Sequence, residues 1–242
     1  DGASNLDFCA FNQIAYGTRR FFHEDRWGLT GESATAADPF YSPGADFIAL
    51  ENDFLTDLVK RDFAGASAVQ MTERCEAYDA FVAFRHEATM HLFRGLYDSL
   101  ASFDLARAKW NLDIGSYYNL WLSSYMRDRH LDLRWLRYQE GQRPAVLSAL
   151  RNFSNLFQQT AATLRENGTY HRNNAGEFYF GLSHLNFVES VGQPCRASAE
   201  QARTALVFNI ARQQALAASS NCPGEDTPEA LPLNAFLGVC RR

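Results

Sequence analysis

Residues 71–96, MTERCEAYDAFVAFRHEATMHLFRGL, decide the architecture of this chain. Met71, Cys75, Tyr78, Val82, Leu92 and Leu96 follow one another in alternating steps of four and three residues, with Arg85 and Thr89 completing the series. Such steps return a side chain to the same side of an α-helix, so the run predicts a long helix with one buried stripe. Just upstream, Ser67 and Gln70 have the spacing of a capping box, which predicts where that helix starts.

The same pattern extends in both directions. A helical run occupies Asp46 to about Phe63. Before it, residues 1–45 hold Gly28, Gly31, Pro39, Pro43 and Gly44, which break any long periodicity and read as an irregular arm packed over the core. After the long helix, Ser102 and Asp104 open a short segment. Beyond Gly115 a further helix is predicted to carry Tyr117, Trp121, Tyr125 and Trp135 on one side. Pro144 stands where a first helical turn tolerates proline, and Val146, Leu150, Phe153, Phe157 and Leu164 continue the stripe until Asn167 and Gly168 stop it. Ser198 with Gln201 opens another helix to about Ala218, and a short one spans Pro228 to Leu237. Nothing alternates in the manner of a half-buried strand. The expected fold is all-α: a single-domain multi-helix bundle (46–242) with an irregular N-terminal arm (1–45) and termini tethered by disulfides.

Composition narrows the function classes. A net charge of -5 gives no basic field for phosphate backbones, so nucleic acid is not an expected partner. Apolar stretches are broken by charge, as at Arg127, Asp128 and Arg129, so no membrane span is expected. Of 23 basic residues only Lys60 and Lys109 are lysine, a bias that suggests a GC-rich bacterial genome. The chain begins at Asp1 rather than Met, and Cys9, Cys75, Cys195, Cys222 and Cys240 are widely spaced beside turn residues. Together these point to an exported protein, periplasmic or extracellular, with disulfides. A helix of about 20 residues is about 30 Å long, and disulfide Cα atoms sit at most about 7 Å apart. Cys195 and Cys222 therefore should not pair; the expected bridges are Cys9–Cys75 and Cys240 with one of the other two.

Strong catalytic motifs are missing from the sequence: there is no P-loop, no GxGxxG after a strand, no HExxH and no EF-hand loop. His86 and His91 are turned about 140° apart on a regular helix and cannot share a metal, so no metal or cofactor is expected. Arg85, within a buried stripe, needs a carboxylate or a ligand to neutralise it. Asp128 and Asp132 are the expected partners, since their spacing puts them on the helix side that bears Trp121, Tyr125 and Trp135. Carboxylates among aromatic rings suit a sugar-cleaving site, where rings stack on sugar faces and acids share proton transfer. A second cluster, Tyr170, His171, Arg172, Asn173 and Asn174, follows a helix stop and combines groups for proton transfer and oxyanion stabilisation. By residue type this loop is similar to those of helical polysaccharide lyases.

The leading expectation is thus an exported enzyme acting on a polysaccharide or cell-wall glycan by acid/base chemistry. Its catalytic groups would be His171, Arg172, Asp128, Asp132 and Tyr170, with glycan or another small ligand held by Trp121, Tyr125, Trp135, Asn173, Asn174 and Arg85 in one cleft. The competing reading is a non-catalytic binding, inhibitor or immunity protein that meets a protein partner. A haem or metal carrier using His86, His171 or His184 comes third.

Overall fold

The computed structural model describes residue 7 and residues 15–175, and these are mostly helical. The elements are two short strands, β1 (Phe22–His23) and β2 (Trp27–Gly28), then α1 (Pro43–Phe63), α2 (Ala68–Phe93), α3 (Leu96–Leu100), α4 (Phe103–Ser116), α5 (Ser123–Tyr125) and α6 (Leu133–Glu166). The chain divides into two compact units, Asp1–Met90 and His91–Arg242. Among the described residues no helix is long and apolar enough to cross a membrane.

In the first unit, α1 and α2 begin and end as their sequences dictate. Pro43 opens α1 at its first position, where a missing N–H leaves nothing unpaired. Gly65 takes a left-handed φ of 79° after α1 ends. The capping box before α2 is formed: Ser67 N–H donates to Gln70 Oε1 at 2.9 Å, and Gln70 N–H donates to Ser67 Oγ at 3.3 Å. Met71, Cys75, Tyr78, Val82 and Arg85 of the stripe are buried, with Phe81, Phe84 and Ala88 beside them. The stripe outlasts its helix. Gly95, at φ 72°, separates α2 from α3, so buried Leu96 lies on a new element.

The arm is less irregular than its glycines suggest. β1 and β2 pair antiparallel, with Phe22 opposite Gly28. Asp79 of α2 accepts from both Phe21 N–H (2.7 Å) and Phe22 N–H (2.9 Å), which leaves the two phenylalanines buried in the core of this unit. Cys75 is a buried free thiol, so the expected Cys9–Cys75 bridge is not formed. Burial, foremost, pushes that thiol up to about 11, which disfavours the nucleophilic thiolate at neutral pH. Cys9, Cys195, Cys222 and Cys240, and the helices expected after residue 175, lie outside the described residues.

The second unit packs α3, α4 and α6 around Leu105, Leu112, Phe153, Phe157, Ala161 and Tyr170. Two expectations are corrected here. The single aromatic helix after Gly115 is a broken path: a π-helical turn (Tyr117–Leu122), α5, and a 3₁₀ turn (Arg129–Leu131) lead into α6. Pro144 does not open a helix but sits inside α6. Its residue is exposed, as are Gly141 and Glu140, so the carbonyl that loses its donor faces water rather than the core. The stop after α6 is as expected: Gly168 at φ 67° lets Gly168 N–H reach Arg165 O and Thr169 N–H reach Leu164 O, the paired bonds of a Schellman motif.

Candidate functional site

The loop after α6 is brought together as a cluster, and its polar groups are turned toward α3 and α4. Tyr170 is buried and its hydroxyl donates to the Asp98 carbonyl. Arg165 holds Asp98 at 3.1 Å and lies over the Tyr170 ring, 4.5 Å from its centroid. His171 Nδ1 donates to the Ala101 carbonyl at 3.0 Å, and Asn174 Nδ2 donates to the same oxygen at 2.8 Å. Asn174 Oδ1 accepts from Phe103 N–H at 2.8 Å, and Asn173 Nδ2 donates to Asp104 at 2.7 Å. Ser102, the N-cap of α4, makes no side-chain cap bond, so Asn174 caps that helix from a distant part of the chain. Arg172 is exposed. Asn174→Ala is expected to lower stability by about 1 kcal/mol, the usual effect of losing a helix cap, read as a lower urea midpoint. An unchanged midpoint would show that water replaces the cap.

The aromatic and acidic group occupies the other end of α6. Asp132 is the N-cap of α6 and accepts from Arg134 N–H at 2.8 Å. Asp128 stands in left-handed backbone, φ 55°, ahead of the 3₁₀ turn, a conformation that aspartate tolerates better than most residues. The helix is interrupted between them, so their four-residue spacing does not stack them on one helical side. Trp121 and Trp135 are buried and offer no open ring for a sugar; Tyr125 stacks on buried His130 with centroids 4.6 Å apart. With 34 residues between Asp132 and Asn167, α6 is about 51 Å long at 1.5 Å per residue. Asp128, Asp132, Trp121, Tyr125 and Trp135 therefore do not share a cleft with Tyr170, His171, Arg172, Asn173 and Asn174.

Arg85 belongs to the first unit, where its guanidinium lies over the Phe47 ring, 5.4 Å from the centroid. Glu51 of α1 is a carboxylate that feels its charge there. Glu51 is fully buried, and Oε2 accepts from Gly31 N–H at 2.6 Å. Its other oxygen, Oε1, is buried without a hydrogen-bond partner. Burial is the largest influence on Glu51 and raises it to about 7, against the pull of Gly31, Thr30 and Arg85. His86, one residue along α2, packs edge-on to Phe47 (6.0 Å) and has its Nε2 buried without a partner. Burial lowers its pKa, so the ring is neutral at pH 7. A buried carboxyl whose pKa is pushed up by burial and pulled down by a fixed cation is a combination that proton-moving sites use.

Reading the sequence missed Glu51 because Glu51, Asn52 and Asp53 look like a solvated run. The signal was nonetheless present. Phe47, Leu50, Phe54 and Leu58 form the buried stripe of α1, and Glu51 lies one turn after Phe47 on that side. Among the described residues no group of three or more His, Cys, Asp or Glu side chains is placed to hold a metal ion.

No known protein family matches the chain, and no solved structure matches it. Over 126 residues it is 27% identical to a flavin-dependent halogenase of Dictyostelium discoideum, a similarity covering 52% of this chain and 21% of that protein. The chain thus spans about a fifth of the length of the curated relative it matches.

Proposed function

We propose that this chain is the helical, acceptor-side portion of a flavin-dependent halogenase-type enzyme. The observation that carries the reading is the similarity to the Dictyostelium protein over half of this chain. The described fold supports a division of labour. Nucleotide cofactors of the flavin kind are commonly held at the carboxyl ends of parallel strands, where a glycine-rich turn enters a helix. The described residues form one antiparallel ribbon of two-residue strands, and the N-terminus of α4 is already occupied by Asn174. They do not fit a flavin, so no chemical step on that group is assigned to them. Their contribution is a water-excluding helical scaffold. A net charge of -5 gives no attraction for polyanions, which favours a small neutral or cationic acceptor.

The glycan-acting reading required the Asp128–Asp132 group and the His171–Arg172 loop in one cleft, and their separation along α6 leaves it without a supporting observation. The halogenase reading is tested by supplying the whole protein that carries this chain with reduced flavin, dioxygen and bromide, together with electron-rich aromatic acceptors. Product bearing the paired isotopes of bromine is expected. Flavin oxidation with no brominated product across the panel would overturn the reading. Separately, residues 1–242 alone should leave flavin fluorescence unchanged; quenching by them would overturn the division of labour.

A further inference from the structure

Gly31 can join the arm to α1 only as glycine. Its φ is 59°, and a Cβ there would meet Ile48 Cγ1 at 2.9 Å. That close approach lets Gly31 N–H reach Glu51 Oε2 at 2.6 Å, and Glu51 thereby ties the arm to the helix from inside the fold. Thr30 donates its hydroxyl to Asn52 Oδ1 at 3.4 Å on the same helix, and Ala34 and Thr35 of the arm are buried. The tie is asymmetric: one carboxyl oxygen is bonded, and Oε1 is sealed from water with no donor reaching it.

We propose that Glu51 is a proton-operated clasp that keeps arm residues 30–36 on α1 and α2 while its carboxyl is protonated, and loosens them when it ionises. An ionised carboxyl places charge on an oxygen that neither water nor a hydrogen-bond donor touches, and this is costly. Lifting the arm lets water reach it and relieves that cost. The groups facing Glu51 set the limits of the device. Gly31 of the arm bonds to it, Thr30 stands beside it with its hydroxyl on Asn52 Oδ1, Phe47 lies one turn before it on α1, Arg85 of α2 acts on its charge, and His86 of α2 packs edge-on to the same Phe47 ring. Arg85 favours the ionised form but does not outweigh burial. His86 works in the opposite sense, because a buried imidazole resists protonation and its charging at acid pH would loosen the same seam.

The sign follows from where the proton is held. With Glu51 raised to about 7 in the closed state against 4.5 when solvated, the closed arm keeps a proton that the open arm releases. Opening therefore becomes easier as pH rises from 4.5, by about tenfold per pH unit, and levels off above 7. The test is hydrogen exchange at Ala34 and Ala36, whose amides donate to Gly31 O and Tyr16 O, with each rate divided by the intrinsic rate at that pH. The wild-type opening constant is expected to climb through this window, and Glu51→Gln, which keeps an acceptor for Gly31 but cannot ionise, should remove the climb. An identical climb in Glu51→Gln, or a flat wild-type profile, would overturn the proposal. Should the variant fail to fold, carbon NMR of the wild-type Glu51 carboxyl decides: a midpoint near 7 supports the clasp, and one near 4.5 overturns it.

Discussion

Lys109→Met is expected to remove about 3–5 kcal/mol of stability, the range seen when one member of a buried ion pair is deleted. Lys109 Nζ donates to both Asp113 oxygens at 2.5 Å and to the Leu92 carbonyl at 2.7 Å. Both side chains are only 2% exposed. Methionine fills the same volume but supplies no charge, so Asp113 loses the Lys109 ammonium and Leu92 O loses that donor in a place where both side chains are sealed from water. The pair itself is a poor net source of stability, since taking both charges out of water offsets much of their attraction. Lys109→Met with Asp113→Leu is therefore expected to regain most of what the single change loses. Urea unfolding of the two variants checks both statements. A single-variant loss below about 1 kcal/mol would mean that water enters the site, since a solvated pair contributes only that much.

Lys109 also shows where sequence reading stops. Its spacing from Asp113 fits an exposed ion pair one helical turn apart, and only the path of the surrounding chain buries it. The helical elements were legible for a local reason: stripe periodicity, capping boxes and the Asn167–Gly168 stop are encoded within a few residues. The hairpin was hidden because two-residue strands have no periodicity to detect, and Asp79, which holds it, lies 57 residues from Phe22 in sequence. The break after α4 was hidden because Trp121, Tyr125 and Trp135 keep apparent helical spacing across a π turn and a 3₁₀ turn. Arg85 was legible as a buried residue. Glu51, a carboxylate that feels its charge, lies one helix back and was hidden by its polar neighbours in sequence. The Tyr170–Asn174 loop was legible as a cluster but not as a cap, because the group it caps is about 70 residues distant.

In the first unit the largest loss is expected from Phe54→Ala, about 3–5 kcal/mol for a fully buried phenylalanine. The Phe54 ring is 0% exposed and stacks on Tyr78 with centroids 3.9 Å apart and planes 9° from parallel. Phe22 from the arm meets it edge-on at 5.9 Å, and Phe81 does so at 6.3 Å. One ring thus joins the hairpin to both helices. The consequence extends to a polar network, because Tyr78 donates its hydroxyl to Asp57 at 2.6 Å, and Arg61 and Arg74 converge on the same carboxylate oxygen. Removing Phe54 leaves Tyr78 free to tilt and strains the bond to Asp57, so Phe54→Ala and Tyr78→Phe should not add independently. A thermal-unfolding cycle of the two single variants and the double reads this coupling, expected at about 1 kcal/mol on the scale of aromatic pairs. Phe63, 88% exposed at the end of α1, is the internal control: its replacement by alanine should change stability by no more than about 0.5 kcal/mol. Equal losses at Phe54 and Phe63 would mean that the stripe read from the sequence is not what holds this unit together.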